Sequence, residues 1–154
     1  MKRSYSLIIS IFLPFLIAGI TYFSIHSNID LYTTLLLPKN LVMSSYIYVF
    51  FWSIQYLILG YASHLVYQTD APDSRKVLFL YGLQLLLLLI WPIVLFNIQD
   101  YLLATIIILF SWGLSMIMIY TFYKIHKVAG YLLTPYFIWL SYMLYYHFQI
   151  FMLN

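Results

Sequence analysis

Apolar and polar positions alternate along this chain in long blocks. Five apolar runs cover roughly residues 5–26, 42–67, 77–97, 101–123 and 131–152, separated by short polar breaks. Each run is long enough to cross about 30 Å of hydrocarbon as a helix. Leucine and isoleucine runs such as QLLLLLIWPIVLF at 84–96 lack the two-residue alternation of a barrel strand. Only helices or closed barrels satisfy backbone groups in lipid. The pattern therefore predicts an all-α polytopic membrane protein, a five-transmembrane-helix bundle forming one domain over residues 1–154. The first run, behind Lys2 and Arg3, imitates a signal peptide. Its apolar stretch is too long and no small-residue cleavage site follows, so it reads as a retained span.

The breaks set the order of the helices. QTDAPDSRK at 68–76 is a polar turn with Pro72 and Asp73 as breakers. The connection at Asn97–Asp100 is so short that the third and fourth spans must be antiparallel neighbours. Pro14 predicts a kink in the first span, and Gly19 a point of close helix approach. Pro135 is expected in the first turn of the last span, where a missing N–H costs little.

Composition sharpens this picture. The chain is 65% hydrophobic and 7% charged, with a mean hydropathy of +0.95, against about a quarter charged residues in soluble domains. A water-soluble fold would leave large apolar patches in water. Lys2, Arg3, Arg75, Lys76, Lys124 and Lys127 fall on one side of the predicted spans and Lys39 on the other. The positive-inside rule then places the N-terminus in the cytoplasm and the C-terminus outside the cell membrane, with the 27–41 loop as an outer lid. The net charge of +3 bears on topology rather than on nucleic acid. With no cysteine, disulfides, thiolate ligands and a thiol nucleophile drop out. Glutamate is absent and the four aspartates lie in loops or at span ends. Carboxylate-coupled transport, voltage sensing and Ser–His–Asp catalysis lack their apparatus, and no metal site is expected.

Polar-edged rings supply the candidate chemistry. Tyr5, Tyr67, Tyr101, Tyr123 and Tyr131 sit at span ends, as in an aromatic belt. Trp52, Trp91, Trp112 and Trp139 instead lie near span centres, where an indole N–H needs a partner. Three of them belong to stripes at helical spacing. These are Trp52–Tyr56–Gly60 with Tyr48; Tyr81–Gln84–Leu88–Trp91; and Tyr136–Trp139–Met143–Tyr146–Ile150, with His147 beside the last. Such stripes serve either helix packing or a ligand chamber. Gln55 and Gln84 must face inward to find hydrogen-bond partners. His26, His64 and His126 are expected at the interface. His147 is the deep histidine, expected to be neutral with a hydrogen bond fixing its tautomer, and ligation of tetrapyrrole iron is the alternative.

Three stretches carry a resemblance. LLTPYFIWLSYMLYYHFQIFMLN at 132–154 follows an LL-x-P-Y-x-x-W pattern and WSIQYLILGYA at 52–62 a W-T-x-x-Y-x-x-M-G-x-A pattern. QLLLLLIWPIVLF at 84–96 is similar to Q-L-x-L-N-x-x-W-x-x-L-F-F. In this order and spacing they resemble the TspO/MBR family, the translocator or tryptophan-rich sensory proteins. Leu88 and His147 stand where the family has asparagines, and Met43 and Ser44 where it has prolines. Of the lid pattern, Pro38-Lys39-Asn40-Leu41 and Tyr32 keep a trace.

The resemblance implies an intrabundle chamber for tetrapyrroles (porphyrin, haem) or similar flat or sterol-like ligands. Trp52, Tyr56, Gln84, Trp91, Tyr136, Trp139 and His147 would be the ligand-binding residues. No cofactor is required, since the tetrapyrrole is itself the ligand, and the other partners would be the lipid bilayer and a second copy in a homodimer. Binding, sensing or transport is the leading expectation. Light-dependent porphyrin breakdown, with Trp52 and Trp139 as redox-active indoles, is one alternative, and a scaffold or transporter subunit without tetrapyrrole is the other.

Overall fold

The computed structural model describes residues 2–28, 35, 41 and 44–154. Among the described residues the helices are α1 (Lys2–Ile25), α2 (Ser45–Gln68), α3 (Ser74–Ile93), α4 (Tyr101–Ile125) and α5 (Lys127–Leu153), and a π-helical turn, Val94–Ile98, continues α3. The neighbour order α1–α2–α5–α4–α3 closes back on α1, so the five helices form one bundle. Four helices contain segments long and apolar enough to cross a membrane: Tyr5–Ile25, Tyr46–Gln68, Ser74–Ile98 and Tyr101–Ile125. The 27 residues of α5 would extend about 40 Å, and its tyrosines, Trp139 and His147 lower its hydropathy below that of the others. The chain is thus an all-α polytopic membrane protein.

Side-chain caps mark the starts of α2, α4 and α5. Ser44 Oγ accepts from Ile47 N at 3.4 Å, Asp100 Oδ1 from Leu103 N at 2.9 Å, and His126 Nδ1 from Ala129 N at 3.4 Å. The His126 cap starts α5 four residues earlier than the apolar pattern suggests. Pro135 consequently lies inside the helix, not in its first turn, and deprives the Tyr131 carbonyl of its usual i+4 donor. The π-helical turn after Pro92 was not foreshadowed by hydropathy. Gln99 closes it in the left-handed region (φ 59°). Asn97 in this turn donates from Nδ2 to the Ser24 carbonyl at 2.8 Å, and Asn28 donates to Asn97 Oδ1 at 3.0 Å. These two bonds tie the end of α1 to the end of α3.

One further expectation changes. Close approach of α1 to its neighbour occurs at Gly60, where a Cβ would stand 2.6 Å from the Ser10 carbonyl oxygen and 2.8 Å from Ile11 Cα. Gly19 has nothing within 4 Å of an added Cβ and mediates no such contact. His64, near the end of α2, is covered by α1 to 5% exposure, with its Nδ1 3.1 Å from Ser6 Oγ and its ring stacked on Tyr61. His26 remains exposed, bonded through Nδ1 to the Phe23 carbonyl at 2.8 Å. Most of the anticipated lid, with Tyr32 and Pro38–Asn40, falls outside the described residues. Leu35 and Leu41 from that segment are buried in the core.

Candidate ligand-binding site

Trp52 lies on the eighth residue of α2, Trp91 in the last turn of α3 and Trp139 midway along α5. Because α2 runs opposite to α3 and α5, these positions fall at a common depth. The helical stripes turn all three indoles inward, to 6%, 4% and 7% exposure. Trp52 stacks on Trp91 with ring centroids 5.8 Å apart and meets Trp139 edge-on at 5.9 Å. Such separations suit favourable ring pairing. Tyr56 leans on Trp52 at 5.6 Å and meets Phe15 at 5.9 Å, joining the cluster to α1.

Each of the three indole Nε1 atoms is buried without a hydrogen-bond partner among the described residues. Leaving such a donor unsatisfied costs about 1–3 kcal/mol, so three of them on one cluster mark a place where a polar-edged partner gains most.

His147 adds the complementary group. It is 1% exposed and meets Trp91 edge-to-face at 4.9 Å. Its Nδ1 lies 2.7 Å from the Met143 carbonyl. A carbonyl can only accept, so Nδ1 carries the hydrogen and Nε2 of the neutral ring keeps its lone pair. That Nε2 is buried without a partner among the described residues. Thr105 Oγ1 donates to the His147 carbonyl at 3.1 Å, holding this turn of α5 against α4. The cluster therefore offers broad aromatic faces, three N–H donors and one nitrogen lone pair.

Gln84 and Tyr136 come together with each other and with Ser111, in a polar node linking α3, α4 and α5. Gln84 Nε2 donates to Ser111 Oγ at 2.5 Å and to the Tyr136 hydroxyl, and all three residues are fully buried. Hydrogen bonds of this kind hold transmembrane helices together. Two members of the cluster escaped the sequence reading. Phe51 stacks on Trp139 at 5.1 Å and 7°, and Tyr142 stacks on Trp139 at 5.6 Å. Tyr142 stands three residues after Trp139, a spacing that could have revealed it. Phe51 carries no such signal. Trp112 lies elsewhere, donating from Nε1 to Ser141 Oγ at 2.9 Å and stacking on Phe137. Among the described residues no three His, Cys, Asp or Glu side chains gather as a metal site.

Comparison with known proteins agrees with these motifs. The sequence model of the TspO/MBR family matches residues 10–153. The chain is also similar to the Tryptophan-rich protein TspO of Chlorobaculum tepidum, 30% identical over 105 residues. That alignment takes in 67% of this chain and 66%, just under two thirds, of the relative. With the match running through all five helices, the chain belongs to the TspO/MBR family.

Proposed function

We propose that this chain is an integral membrane binding protein, sensor or transporter for tetrapyrroles or similarly flat hydrophobic ligands. The observation that carries the reading is the convergence of Trp52, Trp91 and Trp139, three buried indole donors from three helices, on one aromatic cluster. A planar conjugated ligand matches such a surface by stacking and by accepting N–H bonds at its edges. The family resemblance supplies the ligand class, and adds sterol-like ligands and a homodimer to the same reading.

In the cell membrane, the start of α1, the α2–α3 turn and the α4–α5 junction face the cytoplasm, and the C-terminus is external. Their lysines and arginines support this orientation. It puts the cluster in the outer half of the bundle. The test is a titration of purified protein with protoporphyrin, following tryptophan fluorescence. Saturable quenching is expected, and a linear inner-filter response alone would contradict it.

One second reading draws on a specific observation. The Gln84–Ser111–Tyr136 node and fully buried Leu88 put helix packing where the family pattern has a polar stripe. This favours a scaffold without tetrapyrrole, and absent binding in the same titration supports it. Light-dependent loss of porphyrin absorbance during that titration would point instead to breakdown assisted by Trp52 and Trp139.

A further inference from the structure

We propose that His147 is an axial ligand for the metal of a metallated tetrapyrrole, making this site selective for haem-type over free-base macrocycles. The inference rests on the tetrapyrrole reading and assigns the site a narrower ligand class. A metal-ligating imidazole needs one nitrogen with a free lone pair and the other held by a backbone or carboxylate acceptor, which fixes tautomer and ring orientation. His147 has both features. Nδ1–H is bonded to the Met143 carbonyl at 2.7 Å, and Nε2 is buried beside the tryptophans without a partner among the described residues.

The surroundings narrow the kind of metal centre. With no three His, Cys, Asp or Glu side chains gathered among the described residues, a bare ion finds too few protein ligands. A macrocycle brings four nitrogens of its own and asks the protein for one or two axial donors. Donation of the Nε2 lone pair forms that bond without loss of a proton, because Nδ1 keeps its hydrogen. Trp91 stands against the imidazole at 4.9 Å, so the macrocycle takes the place of this indole, which has no hydrogen bond among the described residues to break. An asparagine, which the family pattern carries at this position, offers no comparable nitrogen lone pair.

The experiment compares ferric haem with free-base protoporphyrin on detergent-purified wild type, His147→Ala and His147→Asn, reading affinity, absorption and electron paramagnetic resonance. In the wild type, haem should show an imidazole-ligated spectrum. Both variants should lose it and weaken haem about tenfold or more, a larger loss than either causes in free-base affinity. Added imidazole should restore the spectrum in His147→Ala. His147→Asn, carrying the family residue, keeps the test valid if the alanine variant does not fold. Identical haem spectra in wild type and variants would overturn the inference while leaving tetrapyrrole binding in place, as would equal weakening of both macrocycles. Failure of wild type to bind either one would overturn the proposed function, and the ligation with it.

Discussion

Tyr81 donates its hydroxyl to the carbonyl of Ser10 at 3.0 Å, the acceptor that Pro14 leaves without its helical N–H four residues later. A proline inside a membrane span is tolerated where a neighbouring helix supplies the missing donor, and α3 supplies it here. Tyr81→Phe should destabilise the bundle by about 1 kcal/mol. In a Pro14→Ala background, where the residue 14 N–H can reach Ser10 itself, the same change should cost less. Unfolding of the four proteins in a double-mutant cycle checks this. Additive effects would show that the two residues are not coupled.

Gly60 sits against the same stretch of α1. Gly60→Ala drives a methyl into backbone at Ser10 and Ile11, which cannot yield as a flexible side chain could. The expected loss is about 1–3 kcal/mol. Gly19→Ala, with open space around it, should be near neutral. Thermal unfolding in one detergent compares them, and equal midpoints would remove Gly60 from its packing role.

The Gln84–Ser111–Tyr136 node should act on stability more than on ligand affinity. Gln84→Leu strands two buried hydroxyls and should cost about 1–3 kcal/mol, with coupling to Tyr136→Phe. A large loss of porphyrin affinity with unchanged unfolding would instead put Gln84 in direct contact with ligand.

Orientation has its own test. A reporter fused after Asn154 should be active only when it is of the kind that works outside the cytoplasm. Activity confined to a cytoplasmic reporter would invert the bundle and move the aromatic cluster to the inner half.

The helices were legible in the sequence because lipid demands long unbroken apolar runs, and the stripes because helical periodicity carries Trp52, Trp91 and Trp139 to inward faces. Local backbone choices were not legible. Hydropathy does not encode the π-helical turn at Val94–Ile98 or the cap at His126 that draws Pro135 into the helix. Gly130 lies within α5, where a Cβ would crowd Tyr123 of α4. Which glycine meets a neighbour depends on helix rotation, and so the close approach falls at Gly60 and not at Gly19. His64 lies near a span end by counting, but only the packing of α1 reveals that it is covered. For the candidate site, spacing put the tryptophans on stripes near span centres, and the family resemblance implied that Trp52, Trp91 and Trp139 share one chamber. That Gln84 and Tyr136 pair with each other depended on distances no spacing rule supplies.

The most direct measurement of the ligand-binding claim compares protoporphyrin affinity in Trp139→Leu and Trp112→Leu. Trp139 belongs to the aromatic cluster, through Trp52, Phe51 and Tyr142, whereas Trp112 is satisfied by Ser141 away from it. Leucine keeps either helix apolar while removing stacking area and one N–H donor. In folded, detergent-stable protein, Trp139→Leu should weaken binding by about 1 kcal/mol or more, roughly fivefold, and Trp112→Leu should leave it nearly unchanged. Equal affinities in the two variants would contradict a ligand site at the tryptophan cluster and leave its rings as helix packing.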